Sequence, residues 1–334
     1  HKNNPLAMDV LIVDEASMVD LPMMYRLLDA LAAHTRLILL GDKDQLASVE
    51  AGSVLAELCQ SQGLAGNIAQ ITVSRRFASQ PEIGALASWL NNPDGVTKPV
   101  LAAAGQVRLH TCQPGSEWQP AWLADAVQQY RQRADIQAGA GVLDMLARQQ
   151  DFQLLCALRQ GPFGVVGINR MIATALARPH DGWYAGRPVI VLENAAERQL
   201  YNGDVGMVLP LDPLTATLQP EGGTLKACFL TADGFRAVSQ AQMPAHETCY
   251  AMTVHKSQGS EYRHVMIVLP CDRRTVADNP VLSRELVYTA VTRASRQIDI
   301  FAGDGVLDSM AQRRTVRMSA LASLLHKPQN EPSA

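Results

Sequence analysis

Residues 10–17, Val-Leu-Ile-Val-Asp-Glu-Ala-Ser, decide the fold. Four apolar residues run directly into two carboxylates, Asp14 and Glu15. An unbroken apolar run predicts a strand buried on both faces of a parallel sheet. Ligands of open α/β sheets bind at the carboxyl ends of the strands, which is where these carboxylates fall. One carboxylate there can hold Mg²⁺, directly or through water, and the other can orient or deprotonate an attacking water.

A second stretch repeats this pattern. Residues 37–40 form another apolar run, which stops at residues 41–46, Gly-Asp-Lys-Asp-Gln-Leu. Asp20 and Pro22, between the two runs, predict the start of a helix, so the whole is a βαβ unit. Both carboxyl ends then lie at one edge of the sheet, and Gln45 is expected to face the same ligand as Asp14. A glutamine there can sense a γ-phosphate or position water, whereas Gly-Asp-x-x-Gln taken by itself is also compatible with a simple turn.

The composition indicates a globular protein with more than one domain. The chain has 334 residues, 47% of them hydrophobic and 18% charged, which is too long for one ordinary core. The net charge of −3 requires any nucleic-acid surface to be local. Six cysteines show no metal-ligand or redox spacing, which favours buried thiols in a reducing compartment, the cytoplasm. No apolar stretch has the length of a membrane span and no signal peptide is visible.

The rest of the chain separates into segments of different pattern. Short β-like pieces with Gly-containing turns, including Asn202-Gly203, predict a small β-barrel inserted into an α/β domain. Trp118 and Trp122 have helical spacing, which favours packing over base stacking. The predicted organisation is the carboxyl-terminal part of a first domain at 1–92, a helical connection at 93–150, a second domain at 151–185 and 246–330, and the barrel at 186–245.

Three further clusters are candidates for chemistry. Residues 253–261, Thr-Val-His-Lys-Ser-Gln-Gly-Ser-Glu, form a polar turn that offers N–H groups and hydroxyls to phosphates. Taken alone, His255 would be a structural hydrogen-bonding residue and Lys256 a solvated cation. A predicted helix at 284–294 carries Arg293, and an arginine presented to a nucleotide from a second domain is an arginine finger. The pair Arg75-Arg76 follows a predicted strand at 71–73 and is a solvated edge or a phosphate clamp.

The order of these clusters resembles the motif set of the superfamily 1 helicases, in their 5′-to-3′ branch. The five matching stretches, for motifs II to VI in order, are residues 14–17, 41–46, 75–76, 253–261 and 287–294. The Thr-Val-His-Lys-Ser-Gln-Gly form and the inserted Tyr-Asn-Gly-Asp at 201–204 are most similar to the RecD family. The resemblance covers nearly the whole chain and is least specific at 96–150. It implies an α/β fold with two RecA-like P-loop NTPase domains, the first incomplete, and an inserted SH3-like β-barrel.

The resemblance also implies roles for individual residues. Asp14 would coordinate Mg²⁺, and Glu15 would be the catalytic base or water-positioning group. Gln45 would sense the γ-phosphate, while Arg76, rather than Arg75, and Arg293 would stabilise charge on the phosphates. The implied nucleotide contacts are Gln258, Gly259 and Glu261, the last near the ribose. The implied nucleic-acid contacts are Thr253, His255, Lys256 and Ser257.

The implied activity is ATP-driven, Mg²⁺-dependent movement along the 5′-ended strand of DNA, in a heterotrimer with RecB and RecC subunits. Such a complex is a helicase-nuclease that acts on double-stranded DNA ends in recombinational repair. Two other interpretations stay open: a non-catalytic scaffold subunit that keeps the helicase fold, and an RNA helicase of the same superfamily. The residues suggest no nuclease site.

One departure from the family pattern concerns the phosphate-binding loop. The family carries Gly-x-x-x-x-Gly-Lys-[Ser/Thr] upstream of motif II, and no Gly-Lys pair occurs in these 334 residues. Together with the start at His1, this predicts a chain whose first part is truncated or missing. We expect this piece alone not to hydrolyse ATP.

Overall fold

The computed structural model of the protein describes residues 4–48, 52–71, 74, 76–101, 105–112, 119–136, 140–315 and 321, without the side chains of Arg76 and of residues 119–121. Its strands are β1 (Val10–Val13), β2 (Arg36–Leu39), β3 (Val107–Cys112), β4 (Phe152–Cys156), β5 (Pro188–Val191), β6 (Val205–Leu211), β7 (Thr224–Thr231), β8 (Gly234–Ser239), β9 (His246–Thr248), β10 (Ala251–Thr253), β11 (Tyr262–Val268) and β12 (Ala294–Gly303). Its helices are α1 (Leu21–Asp29), α2 (Val54–Gln60), α3 (Pro81–Asn91), α4 (Gln119–Ala134), α5 (Val142–Ala147), α6 (Val165–Ala175), α7 (Arg273–Asp278), α8 (Arg284–Val291) and α9 (Val306–Ala311).

The first unit is the predicted βαβ arrangement, in which β1 and β2 pair in parallel and α1 connects them. The Asp20 carboxylate caps α1 by accepting the N–H of Met23 at 2.6 Å. The expected burial of β1 on both faces is wrong for the described residues, because Ile12 is 58% exposed. β2 is the strand that pairs with β1 in the described part of the chain, and Ile38 on β2 is exposed beside Ile12. An apolar sheet face is therefore open to solvent here.

The second unit is a five-stranded parallel sheet in the order β10-β4-β11-β12-β3. Alternate residues of its strands enter two hydrophobic cores, one on each face of the sheet. Leu155 and Ile267 belong to one core, with α3, α8 and α9, whereas Leu154 and Met266 belong to the other, with α4 and α6. A parallel sheet covered by helices on both faces confirms the predicted α/β class.

Two elements upstream of residue 151 pack into this second sheet, contrary to the predicted organisation. β3 lies inside the segment predicted to be a helical connection, yet it pairs with β12 and forms an edge strand. α3 lies inside the predicted first domain, yet Ile83, Leu86 and Leu90 are fully buried in a core of the second unit. Because this helix is apolar on most of its surface, it needs the large buried face that the second sheet offers.

The β insert, residues 188–248, is a five-stranded antiparallel sheet in the order β8-β7-β6-β5-β9. Its core contains Val189, Val208 and Phe229. A small β-barrel was predicted at 186–245; the described strands form an antiparallel sheet with β8 and β9 at its two edges, and the pairing of β9 with β5 extends this sheet past residue 245. The insert thus ends two residues before β10, the strand that enters the motif V segment. Among the described helices, none combines the length and hydropathy of a membrane span.

A polar cluster replaces part of the core between β3, β11 and β12. The buried Asp299 carboxylate contacts Arg108 at 2.5 Å, His110 at 2.6 Å and His264 at 2.7 Å, and it accepts the Gln297 side-chain N–H at 3.1 Å. Burial raises the pKa of this carboxyl, but the four hydrogen bonds outweigh burial and hold the pKa well below its usual range. The cluster therefore fixes the edge strand β3 to the sheet through a buried charge.

We expect Asp299→Asn to lower the free energy of unfolding by about 3 kcal/mol at neutral pH, because the Arg108 guanidinium loses its carboxylate partner in a largely buried site. Since the pKa of Asp299 is lower in the folded state than in the unfolded state, its contribution is full above about pH 4 and is lost as the pH falls through the folded-state value. The difference between wild type and variant should therefore shrink below about pH 4. Urea denaturation at neutral and acidic pH measures it.

The control is Asp308→Asn, which removes a half-exposed carboxylate paired with Lys98 at 2.6 Å. An exposed pair contributes less than about 1 kcal/mol. Equal losses in the two variants, or an Asp299→Asn effect that does not change with pH, would contradict a stabilising buried charge.

Candidate functional site

The two carboxylates of motif II lie at the carboxyl end of β1. The Asp14 carboxylate is exposed and accepts the N–H of Glu15 at 2.8 Å. Glu15 has a φ of 50°, a left-handed conformation that a non-glycine residue seldom adopts. The chain then turns into a 3-10 helix at Ala16–Met18, and the Ala16 N–H bonds to the Leu40 carbonyl at 2.8 Å. Strain of this kind concentrates at functional sites, and here it falls on the residue predicted to act on water.

The motif III loop packs directly against this turn. A Cβ atom on Gly41 would lie 3.1 Å from the backbone nitrogens of Ala16 and Ser17, so the close approach requires glycine. The neighbouring Asp42 carboxylate accepts the Asp44 N–H at 3.0 Å and the Gln45 side-chain N–H at 3.3 Å. Asp42 therefore positions Gln45 at the same sheet edge as motif II.

The predicted catalytic residues Gln45 and Arg293, which lie on different units, are brought together. Arg293 is buried, and its Nη2 donates to the Gln45 Oε1 at 3.2 Å. Its Nε donates to the Thr289 carbonyl at 3.2 Å and its Nη1 to the Ser260 carbonyl at 3.3 Å. These bonds hold the guanidinium between motifs III, V and VI, with one donor group directed to the glutamine.

Three more hydrogen bonds connect the first and second units beside the Arg293–Gln45 contact, and we call this region of contact the joint. The Leu46 N–H donates to the Thr289 hydroxyl at 2.8 Å, and the Gln258 side chain donates to the Leu46 carbonyl at 2.7 Å. The Tyr288 hydroxyl donates to the Asp42 carboxylate at 2.7 Å. Burial and the adjacent Asp42 raise the pKa of Tyr288, so the phenol stays protonated and remains a donor. Gln258, predicted to bind nucleotide, contacts motif III in this structure.

The other predicted nucleotide contacts lie beside this joint. Gly259 and Glu261 flank Ser260, are exposed, and line a cavity of about 610 Å³ with Gln149 and Asp204. Gly259 lies at the end of the motif V turn and has a φ of 77°, a left-handed conformation that favours glycine. No atom lies within 4 Å of the position that a Cβ would take, so the backbone conformation and not crowding favours glycine here. The cavity lies between the second unit and the β insert. Asp204, on the insert side of this cavity, was not predicted as a site residue, because the Asn202-Gly203 pair before it indicates only a turn.

The predicted nucleic-acid residues follow β10. Thr253 ends this strand, and its hydroxyl accepts the Lys256 N–H at 3.3 Å. His255 and Lys256 are half-buried, and Lys256 pairs with Glu247 of the β insert at 3.0 Å. Ser257 is fully buried and donates to the Val254 carbonyl at 2.8 Å, so its prediction as a nucleic-acid contact is wrong for this conformation. Its hydroxyl instead stabilises the motif V turn.

Several predictions fall outside the described residues. Arg75 and Trp118 lie there, as do residues 72 and 73 of the predicted strand at 71–73. Arg76 begins a 3-10 helix, Arg76–Ser79, but its side chain is not described, so its role stays a prediction. Trp122 is fully buried in a core, as its helical spacing predicted.

The residues present fit a nucleotide-bound Mg²⁺. Mg²⁺ is usually held by one or two carboxylates together with substrate phosphates and waters. The exposed Asp14 carboxylate at the strand end meets that requirement. Within the described residues, no group of three or more His, Cys, Asp or Glu side chains forms a separate metal cluster.

Comparison with known proteins agrees with this arrangement. The family model of an AAA domain matches residues 2–112, and that of a UvrD-like helicase C-terminal domain matches residues 248–298. The chain is 35% identical to the RecBCD enzyme subunit RecD of Haemophilus influenzae, over 97% of this chain and 56% of that protein. It is 37% identical to the corresponding subunit of Mycolicibacterium smegmatis, over 97% and 55% of the two proteins. The chain is 30% identical to the ATP-dependent RecD2 DNA helicase of Deinococcus radiodurans, over 95% of this chain and 40% of that protein.

The two domain matches, with motifs II, III, V and VI around one joint, define a superfamily 1 helicase. Within that superfamily the chain is similar to RecD subunits and to a RecD2 helicase, which agrees with the resemblance seen in the sequence. The chain spans about half the length of the curated relatives it matches.

Proposed function

We propose that this chain is the motor part of an ATP-dependent 5′-to-3′ DNA helicase that works as the RecD-type subunit of a helicase-nuclease. The observation that carries the proposal is the Arg293–Gln45 contact, which joins the two units at the edge where motif II ends. Its partners in such an assembly would be RecB- and RecC-type subunits, as the names of the relatives suggest. Cytoplasmic location belongs to the same proposal.

The chemistry proposed is transfer of the ATP γ-phosphoryl group to water. Glu15 orients or deprotonates the attacking water, and Asp14 would hold Mg²⁺, which supplies positive charge to the phosphates. Arg293, with Arg76, donates hydrogen bonds to the phosphate oxygens as charge develops on them. Gln258, Gly259 and Glu261 would contact the nucleotide from the motif V side.

Movement would follow if Arg293 exchanges one partner for another. Its Nη2 bonds to Gln45, and a γ-phosphate at this edge would compete for the same donor. Asp42 ties Gln45 to Tyr288 on α8, so a change at Gln45 is passed to the second unit. Cycles of ATP binding and hydrolysis would open and close the joint and advance the units along one strand.

The phosphate-binding lysine of the family has no counterpart in these residues, since Gly-Lys does not occur. We therefore propose that the 334-residue chain on its own does not hydrolyse ATP. Assays of catalysis require the native protein that contains this sequence.

Unwinding of tailed duplexes tests the proposal. The native protein should unwind DNA that carries a 5′ single-stranded tail, with ATP and Mg²⁺, and should fail on a 3′ tail or an RNA tail. Unwinding of RNA-tailed substrates would favour the RNA helicase interpretation. Failure on every substrate, with normal assembly into a nuclease complex, would favour the scaffold interpretation.

A further inference from the structure

Three charged side chains form a bridge between the β insert and the second unit. Glu247 on β9 accepts both ends of the Arg159 guanidinium, at 3.0 Å from Nη2 and 3.3 Å from Nη1. The same carboxylate accepts the Lys256 Nζ at 3.0 Å. Two cations thus share one carboxylate, so the group keeps a net positive charge.

The two cations lie at the carboxyl ends of the strands of the parallel sheet. Arg159 follows β4 and Lys256 follows β10, and these neighbouring strands pair in parallel from Ala251–Leu154 to Thr253–Cys156. Thr253, predicted to face nucleic acid, accepts the Lys256 N–H. The cations are therefore next to the segment for which nucleic-acid contact was predicted on other grounds.

The backbone around Arg159 is tightly folded. The Val165 and Val166 N–H groups donate to the Leu158 and Arg159 carbonyls at 3.0 and 3.2 Å. A Cβ on Gly164 would lie 2.5 Å from the Gln160 backbone, so the loop tolerates only glycine there. A side chain on so constrained a loop reaches its partner at low entropic cost.

The bridge is also accessible. The Arg159 side chain is 51% exposed, while the Lys256 and Glu247 side chains are each 24% exposed. Burial raises the pKa of Glu247, but hydrogen bonds from Lys256 and Arg159 outweigh it, and the net pKa lies below the usual value. The carboxylate is thus ionised at neutral pH and acts as an anion bound between two cations.

We propose that Arg159 and Lys256 bind one backbone phosphate of the single strand. In the absence of a strand, the Glu247 carboxylate takes the position of that phosphate between the two cations. The proposal rests on the proposed function, since it assumes that a nucleic-acid strand crosses this edge. The guanidinium fork that fits a carboxylate also fits a phosphate, and the ammonium completes the charge. A bound strand would displace the Glu247 carboxylate from the two cations, while β9 stays paired with β5 in the insert.

The test is binding of a fluorescent oligo-dT strand to the native protein that contains this sequence, measured by fluorescence anisotropy over a range of salt concentrations. Each phosphate contact to a single strand contributes about 0.7 to the slope of log affinity against log salt. Because both cations contact the same phosphate, the double variant Arg159→Ala/Lys256→Ala should reduce that slope by about 0.7, and each single variant should reduce it by part of that amount and lower the affinity about fivefold at about 0.1 M salt. Glu247→Gln should raise the affinity about two- to fivefold, because the strand no longer displaces an ion pair.

Matched controls come from the ion pair of Arg263 and Asp151, 2.8 Å apart at the amino ends of β11 and β4, the opposite edge of the sheet. Arg263→Ala and Asp151→Asn should leave slope and affinity close to wild type. Thermal melting of every variant checks folding, and Arg159→Lys should recover part of the slope because it keeps the charge without the fork.

The outcomes separate this proposal from the proposed function. If the wild-type protein binds oligo-dT but Arg159→Ala matches Arg263→Ala, or Glu247→Gln weakens binding, the bridge is only structural and this proposal falls alone. If the wild-type protein does not bind oligo-dT at all, the nucleic-acid part of the proposed function falls with it.

Discussion

Arg293→Ala should reduce ATP hydrolysis by the native protein about 10³-fold or more, the range found when an arginine finger is supplied or withheld. The arginine is buried, and motifs V and VI hold its Nε and Nη1, so the side chain is already oriented before nucleotide binds. Its Nη2 bonds to a residue of the first unit. Removal should therefore affect the rate of the chemical step far more than nucleotide affinity. Steady-state hydrolysis and nucleotide binding, measured side by side, give the two effects.

The control for this prediction is Arg296→Ala, which removes an exposed arginine three residues further along, on β12. It should leave the rate within about twofold, since isolated surface substitutions have small effects. Because Arg293 is buried, its removal can also destabilise the fold. A thermal melting curve of each variant measures that loss of stability, and Arg293→Lys keeps the positive charge without the guanidinium, so that the two together distinguish lost chemistry from lost folding. A folded Arg293→Ala protein that hydrolyses ATP at the wild-type rate would remove Arg293 from the site.

Glu15→Gln should lower hydrolysis about 10²- to 10⁴-fold while nucleotide binding persists, which is the usual effect of removing a general base. The substitution keeps the length of the side chain and leaves the unusual backbone conformation as it is. The amide cannot accept a proton from water, so the substrate complex forms but does not react. Rapid-quench hydrolysis and binding of a fluorescent nucleotide measure the two properties.

Asp9→Asn is the matched control, because Asp9 is an exposed carboxylate on the amino side of β1 in the same unit. It should hydrolyse ATP at close to the wild-type rate. Loss of nucleotide binding in Glu15→Gln, with hydrolysis reduced only in proportion, would assign Glu15 to binding and leave the base unidentified.

The regular elements were predictable where pattern and position agreed. The apolar runs before Asp14 and Gly41 are β1 and β2, and the helix expected at 284–294 forms as α8 but ends at Val291, so that Arg293 lies in the turn before β12. The insert was visible because its turns carry Asn-Gly and Gly-Gly pairs. Motif order brought Gln45 and Arg293 to one site, and their side chains are in contact. Local sequence carried enough information in these cases because each element follows its own periodicity or turn chemistry.

The prediction failed where a partner distant in sequence decides the structure. β3 was missed because Arg108 and His110 alternate with its apolar residues, as on a solvated strand. Those side chains lie half-buried against the sheet because both bond to Asp299, about 190 residues later. Glu247 and Arg159 were missed for the same reason, since their pairing depends on how the insert meets the sheet. Single charged residues carry no local sign of such partners.

The most direct test of the central claim is ATP hydrolysis by the native protein with and without single-stranded DNA. If the Arg293–Gln45 joint belongs to a DNA-driven motor, single-stranded DNA should stimulate hydrolysis strongly, and the stimulated rate should vanish in Glu15→Gln. Hydrolysis that is absent, or that neither DNA nor Glu15 affects, would contradict the motor account and identify a scaffold that keeps the helicase fold.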